Sequence, residues 1–210
     1  MIKEQVIEII CRELLPVISA GCMSAKDRFW LRDENILWTA EEGLLLPDIT
    51  ADDITSVMLN TPDNLPDKLT RLAVSIMIEN PRINILLLNR LDYSKTVSIA
   101  GENLKPYVDD IAQIIGIEIK SCNLSEHRKI SRLLKRRSAV TIKGEGILCA
   151  ASSPDEAAAV AIIADKAAFI HIQGSFIGKL TYIGKAESAF MRFVYRRKYS
   201  KQASSHSRGK

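Results

Sequence analysis

The sequence is poor in the side chains that bind transition metals. Its 210 residues contain three histidines, His127, His171 and His206, which fall on separate predicted elements. Zinc sites need several histidine, cysteine or carboxylate ligands close together, so three scattered histidines do not predict a shared zinc site. The four cysteines form no CxxC pair, and their spacing predicts neither a zinc site nor a disulfide framework.

Acidic side chains are absent from the last 15 residues of the sequence. The chain has a formal net charge of +4, and residues 196–210 contribute six positive charges, which leaves −2 for residues 1–195. A short basic segment without apolar periodicity cannot bury a core of its own. We therefore predict one folded domain at 1–195 and a disordered basic tail at 196–210.

Long uncharged apolar runs are also missing from the sequence. No run approaches the ~20 residues that span a bilayer. The apolar N-terminal segment includes Glu4 and Glu8, whereas the core of a signal peptide is uncharged. The remaining composition, 47% apolar and 26% charged, is that of a globular protein, and we expect a cytoplasmic protein without a membrane partner.

Apolar periodicity mixes helices and strands along the whole folded part. Helices are predicted at 3–19, 66–79, 104–116, 125–137 and 153–169, with a short helix after Thr50. Strands are predicted at 28–32, 35–38, 83–88, 117–121, 139–143 and 146–150, with a last strand within 172–183. Because no linker divides this pattern, it predicts a single α/β domain.

Three segments in this order carry a resemblance to a known family. They are GCMSAK at 21–26 with the following strand pair and LLLPDITADDI at 44–54, the stretch from Asn80 to Tyr93, and residues 139–170. They resemble the glycine turn, the metal-binding stretch and the strand–turn–strand–helix of the class II aldolase/adducin superfamily of sugar-phosphate aldolases and epimerases. The resemblance implies a three-layer αβα domain with a mainly antiparallel central sheet. It also implies a homo-oligomer, by resemblance a tetramer.

The metal ligands of that superfamily are replaced in this chain. Its members hold a divalent metal with three histidines, and the resemblance places those positions on Leu88, Arg90 and Glu145. Leucine has no ligand atom and arginine does not deprotonate in proteins, so no metal or other cofactor is expected. Arg90 and Glu145 either form an ion pair in place of the metal or have drifted independently and face water.

Two further positions of the superfamily also differ. The resemblance places its acid–base glutamate near Leu69 and its phosphate-binding Ser-Gly on Glu41-Glu42-Gly43. Two carboxylates at that position would repel the phosphate of a substrate. If the chain is an enzyme, the candidate catalytic residues are Glu145 as acid–base and Arg90, or Lys26, as electrophile.

A small anionic ligand could still bind at the first segment. Ser24 and Lys26 offer a hydroxyl, an ammonium and backbone N–H groups, although an ordinary turn after a helix has the same composition. Asn89 and Tyr93 are expected beside the same cleft. The candidate ligand-binding residues are therefore Ser24, Lys26, Asn89 and Tyr93.

The predicted helix at 125–137 has a strongly basic face. That face is either solvated or contacts an acidic partner. Aromatic residues are sparse in this helix and in the tail, which argues against a nucleic-acid partner because single strands stack on aromatic side chains.

Three hypotheses for function follow from the sequence. The favoured one is a degenerate class II aldolase-like protein without metal-dependent catalysis, which serves as a ligand-binding or structural subunit of a homo-oligomer. The alternative is a lyase or epimerase that acts on a phosphorylated sugar-like substrate at a relocated, metal-free site. The third is a nucleic-acid or anionic-surface binder that uses helix 125–137 and the tail.

Overall fold

A computed structural model describes residues 1–60 and 65–206, with side chains as far as residue 197. Its strands are β1 (Arg28–Asp33), β2 (Ile36–Ala40), β3 (Ile54–Met58), β4 (Ile85–Asn89), β5 (Lys120–Cys122), β6 (Ala139–Ile142) and β7 (Gly146–Ala151). They form one sheet in the order β3-β2-β1-β4-β7-β6-β5. All its neighbouring strands pair antiparallel except β5 and β6, and this confirms the mainly antiparallel sheet.

Helices cover both faces of this sheet. They are α1 (Lys3–Glu13), α2 (Leu15–Ser19), α3 (Lys68–Glu79), α4 (Asp92–Ala100), α5 (His127–Leu134), α6 (Pro154–Ile177) and α7 (Lys185–His206). Short 3-10 turns occur at Leu46–Asp48 and Ala51–Asp53, and a π-helical turn occurs at Ile111–Ile115.

The central strand β4 shows how the layers are built. All five of its residues are buried, as its continuous apolar run predicts for a strand covered on both faces. Ile85 and Leu87 belong to a core cluster shared with α1, α4 and α6. Leu86 and Leu88 point to the other face and pack with α3 and α5. This alternation confirms the three-layer αβα architecture.

Two predicted helices do not run unbroken in the structure, in each case near a proline. The helix predicted at 3–19 is divided into α1 and α2 near Leu14, because Pro16 lacks the N–H that would continue the hydrogen-bond ladder. The helix predicted at 104–116 is wrong over its first half. Leu104 pairs with Ile119 as an isolated β-bridge, and Pro106 excludes a helical interior there.

The last predicted strand is absent from the described structure. The strand predicted within 172–183 is wrong, because α6 continues to Ile177 and ends before Gly178, whose φ is +143°.

Two further elements, the strand β3 and the helix α4, were not predicted from the sequence. Strand β3 is partly exposed, and α4 begins with polar residues that resemble a loop, so neither has a strong apolar period.

Helix α6 has the length and composition of a membrane span, the one such helix in the described part of the chain. Its alanines at 157, 161, 164 and 168 are buried in the core. Asp165 on the same helix accepts hydrogen bonds from the backbone N–H and the hydroxyl of Ser94. Because a core helix passes the same test, this is weak evidence for a membrane.

The C-terminal helix α7 crosses the predicted end of the domain. Its backbone is helical through residues 196–206, where a disordered tail was expected. Residues 207–210 lie outside the described residues. The division into a domain at 1–195 and a tail therefore stays a prediction.

Candidate functional site

Four strand ends meet at one edge of the sheet. Strand β1 begins at Arg28 and β7 begins at Gly146, whereas β2 ends at Ala40 and β4 ends at Asn89. Because these neighbouring strands are antiparallel, the start of one strand lies beside the end of the next. Loops that are distant in sequence are thereby brought together at this edge.

These loops enclose a cavity of about 490 Å³. Its polar lining consists of Ser24, Lys26, Asp27, Arg28, Glu41, Arg90, Asp92 and Lys95. Apolar side chains, including Phe29 and Leu46, complete the wall. A concavity of this size, in which polar and charged groups converge beside apolar walls, is a candidate small-molecule site.

Arg90 and Glu145 are in contact at this edge. Nη2 of Arg90 lies 3.3 Å from Oε2 of Glu145, so the ion pair, one of the two alternatives that the sequence left open, is present. Nη1 of Arg90 also donates to the carbonyl of Lys26 at 3.4 Å. These two contacts join the guanidinium to two separate loops.

The three positions that the resemblance assigns to metal ligands do not fit a divalent metal. Leu88 is fully buried in the core on the α3 and α5 face and offers no donor atom. Arg90 is a cation, and the one carboxylate of the three, Glu145, is paired with it. Among the described residues, no three His, Cys, Asp or Glu side chains come together as a ligand set.

Asp27 is the most perturbed acid of the cavity. Its side chain is buried, with the residue 2% exposed, and it accepts hydrogen bonds from the backbone N–H groups of Arg90 at 2.6 Å and Ser24 at 3.2 Å. Burial raises the pKa of Asp27 to about 7, although both hydrogen bonds and the Arg90 charge oppose that shift. The carboxyl can therefore gain or lose a proton near neutral pH.

Arg28 is a buried cation in the cavity wall. It is 5% exposed, and Nη2 donates to Asp67 at 2.6 Å and to Thr70 at 3.1 Å. Its guanidinium lies over the Trp30 ring, 4.9 Å from the ring centroid. The Nε and Nη1 atoms are buried and make no hydrogen bond within the described structure, which is uncommon for buried donors.

The four predicted ligand-binding residues divide into two pairs. Ser24 and Lys26 line the cavity, and the Ser24 hydroxyl accepts a hydrogen bond from the Lys26 backbone at 3.1 Å. Asn89 is fully buried and donates to the carbonyl of Ala161. Tyr93 packs edge-on against Phe169. Neither Asn89 nor Tyr93 is part of the cavity wall.

Sequence reasoning missed Asp27, Arg28 and Lys95 as members of the site. Lys95 donates to the carbonyl of Gly144 at 2.5 Å, so it joins α4 to the turn between β6 and β7. Asp27 and Arg28 follow Lys26 directly in the sequence, and this charged run at the start of a buried strand was the available signal. No sequence signal pointed to Lys95, because the helix α4 that carries it was not predicted.

His171 and the basic helix lie apart from the residues of the cavity wall. His171 makes hydrogen bonds with Tyr107 at 2.7 Å and with Glu102. Helix α5 places Ile130 and Leu134 in the core and carries its basic side chains on the outside. This geometry fits the solvated face that was one of the two interpretations of this helix.

Comparisons with known proteins agree with this architecture. L-fuculose 1-phosphate aldolase has a similar structure, with a TM-score of 0.76, 15% identity, and coverage of 93% of this chain and 96% of that chain. YgbL from Escherichia coli matches with a TM-score of 0.73, 15% identity, and coverage of 90% and 99%. L-fuculose 1-phosphate aldolase from Glaciozyma antarctica PI12 matches with a TM-score of 0.68, 16% identity, and coverage of 91% and 80%. At these identities the likeness concerns the fold.

A comparison with curated proteins by sequence gives no match. A family model does match, the class II aldolase and adducin N-terminal domain, over residues 8–172. That range includes all seven strands and the whole polar lining of the cavity. The chain therefore belongs to the class II aldolase and adducin N-terminal domain family.

Proposed function

We propose that this chain binds a small oxyanion in the cavity at the sheet edge and does so without a metal. The observation that carries the proposal is Arg28, a residue of the cavity wall whose buried Nη1 and Nε atoms make no hydrogen bond in the described structure. Buried donors are normally satisfied, and a ligand oxyanion is the group that would satisfy a guanidinium. Lys26, Arg90 and Lys95 add further cationic groups to the same wall.

Arg90 supports the metal-free part of the proposal. It brings a permanent positive charge to a position that the resemblance assigns to a metal ligand, and a divalent cation there would be repelled. The charge is instead balanced by Glu145. The family fold would thus be retained as a binding protein, acting as a subunit of a homo-oligomer, by resemblance a tetramer.

The proposal is tested by metal analysis and by calorimetric titration with inorganic phosphate. We expect no stoichiometric zinc or manganese in the purified protein, and phosphate binding that a chelator leaves unchanged. Replacing Arg90→Gln should weaken phosphate binding about tenfold, because one charged hydrogen-bond donor is lost. The exposed Lys179→Gln is the matched control and should bind as the unchanged protein does. Stoichiometric metal, or no phosphate binding, would contradict the proposal.

A second candidate is the metal-free lyase or epimerase. It is favoured by Asp27, a cavity carboxyl whose pKa burial raises to about 7, which suits a general acid–base group better than the paired Glu145 does. An activity assay on the same purified protein decides between the binding protein and the enzyme. Turnover of a phosphorylated ketose by metal-depleted protein would favour the enzyme, and binding without turnover would favour the binding protein.

A further inference from the structure

The carboxylate of Glu42 lies between two arginines of the cavity wall. Its Oε2 atom is 3.6 Å from Nη1 of Arg28, and its Oε1 atom is 3.6 Å from Nη2 of Arg90. The two oxygens of one carboxylate therefore face two different cations. A carboxylate or phosphate group of a ligand would contact the same two guanidinium groups in the same way.

Glu42 is held more weakly than the other acids at these arginines. Asp67 contacts Arg28 at 2.6 Å and Glu145 contacts Arg90 at 3.3 Å, and both distances are shorter than those to Glu42. The Glu42 side chain is also 50% exposed, compared with 18% for Asp67 and 33% for Glu145. Exposed, loosely placed ion pairs contribute little net stability.

The contact with Glu42 leaves Arg28 incompletely satisfied. Nη1 of Arg28 is buried and has no hydrogen bond, because the oxygen of Glu42 lies beyond hydrogen-bonding distance. An oxyanion that entered more deeply could make the hydrogen bond that Glu42 does not make. Arg28 should therefore bind an incoming anion more strongly than it binds the carboxylate of Glu42.

The segment that carries Glu42 can move away from Arg28 and Arg90 without disturbing the core. Residues 41–45 are exposed, and Gly43 has a φ of +96° with open space around its α-carbon. Movement of Glu42 would therefore break two weak ion pairs and no buried packing.

We propose that Glu42 is a tethered carboxylate that occupies the oxyanion position of the cavity, so that a ligand binds by displacing it. This inference rests on the proposed function, since it concerns the same cavity. It reverses the interpretation of the Glu-Glu-Gly segment as a simple source of repulsion. A ligand must compete with a carboxylate held on the same chain, so the site selects dianionic phosphate groups over single carboxylates.

The test compares two variants that each remove one carboxylate charge, at Glu42 and at an exposed carboxyl outside the cavity lining. Glu42→Gln should bind inorganic phosphate about tenfold more tightly than the unchanged protein, because the competing carboxylate is gone. Asp48→Asn is the matched control, since Asp48 is an exposed carboxyl close to Glu42 in the sequence and is not among the residues that line the cavity. It should change phosphate affinity by less than about threefold. Acetate, titrated in parallel, should bind Glu42→Gln and fail to bind the unchanged protein.

The outcomes separate this inference from the proposed function. Equal phosphate affinity in all three proteins would overturn the tethered carboxylate and leave the oxyanion site in place. Equal gains in Asp48→Asn and Glu42→Gln would indicate a general charge effect and would also overturn it. No phosphate binding by any of the three proteins would overturn the oxyanion site and the tether together. Thermal unfolding checks that both variants fold.

Discussion

At the scale of single residues, the buried carboxyl of Asp27 joins two loops of the site. It accepts backbone hydrogen bonds from Ser24 and Arg90, residues far apart in sequence. Desolvation by burial has the largest influence on the pKa of Asp27 and raises it. The charge of Arg90 lowers the pKa of Asp27, and the charge of Asp165 raises it. The ionised form of this residue is therefore costly to bury.

The pKa of Asp27 predicts a pH-dependent stability. It is raised from 3.8 to about 7, so between pH 4 and 7 the folded chain holds a proton that the unfolded chain has lost. The free energy of unfolding should therefore fall as pH rises through this window and level off above it. Between pH 5 and 8 we expect the unchanged protein to lose about 2 to 3 kcal/mol relative to Asp27→Asn. Urea unfolding at a series of pH values measures this difference.

The control for this prediction is Asp48→Asn, which changes an exposed carboxyl. It should follow the pH dependence of the unchanged protein. Identical pH profiles for Asp27→Asn and the unchanged protein would contradict the assignment of a raised pKa to Asp27.

At the scale of elements, a buried cation of α7 contacts the rest of the domain. Arg192 is 7% exposed, and it donates to the carbonyls of Ile114 and Arg136 and to the hydroxyl of Ser138. Burial is the main reason that its pKa is lowered to about 10, so it stays charged at neutral pH. It thereby satisfies carbonyls at the end of the π-helical turn Ile111–Ile115.

Removing this cation should loosen α7. Arg192→Met keeps the apolar stem but leaves two partly buried carbonyls without their donor, and we expect a loss of about 1 to 3 kcal/mol in the free energy of unfolding. The matched control Arg196→Met changes an exposed arginine of the same helix and should cost less than about 0.5 kcal/mol. Urea unfolding compares the two, and similar losses would contradict the role of Arg192.

Prediction of the elements from sequence succeeded where burial was one-sided or complete. The central strand β4 and the strands β6 and β7 have apolar runs whose length and composition indicate strands without further information. The strand β3 and the helix α4 lack that signal, because their positions are set by pairing with β2 and by packing on α6. Tertiary contacts decided those two elements.

At the scale of the whole molecule, exposed apolar side chains gather on the last two helices. Phe176, Ile177, Phe190 and Phe193 are 81%, 89%, 67% and 61% exposed. Large apolar side chains that are this exposed are typical of an interaction surface. Their exposure supports the homo-oligomer that the family resemblance implies.

This surface predicts the behaviour of the protein in solution. Sedimentation equilibrium should give a multiple of the chain mass of 23.4 kDa. The double variant Phe190→Ser with Phe193→Ser should shift the mass toward a single chain, because apolar area that the interface buries is removed. Met58→Ser, on the edge strand β3, is the control and should keep the oligomer. A single-chain mass for the unchanged protein would contradict the homo-oligomer.

The sequence pattern by itself indicated one α/β domain, and the resemblance to the family implied the three layers, the mainly antiparallel sheet and the positions assigned to metal ligands. Apolar periodicity fixes which faces are buried, and the identities of Leu88, Arg90 and Glu145 already limit what those positions can bind. Only the tertiary structure decided which charges meet. Glu42, Arg28 and Asp27 become one site because antiparallel strands bring separate loops to the same edge. Tertiary burial also decides the pKa of Asp27, since desolvation depends on all the elements packed around a residue and not on its sequence neighbours.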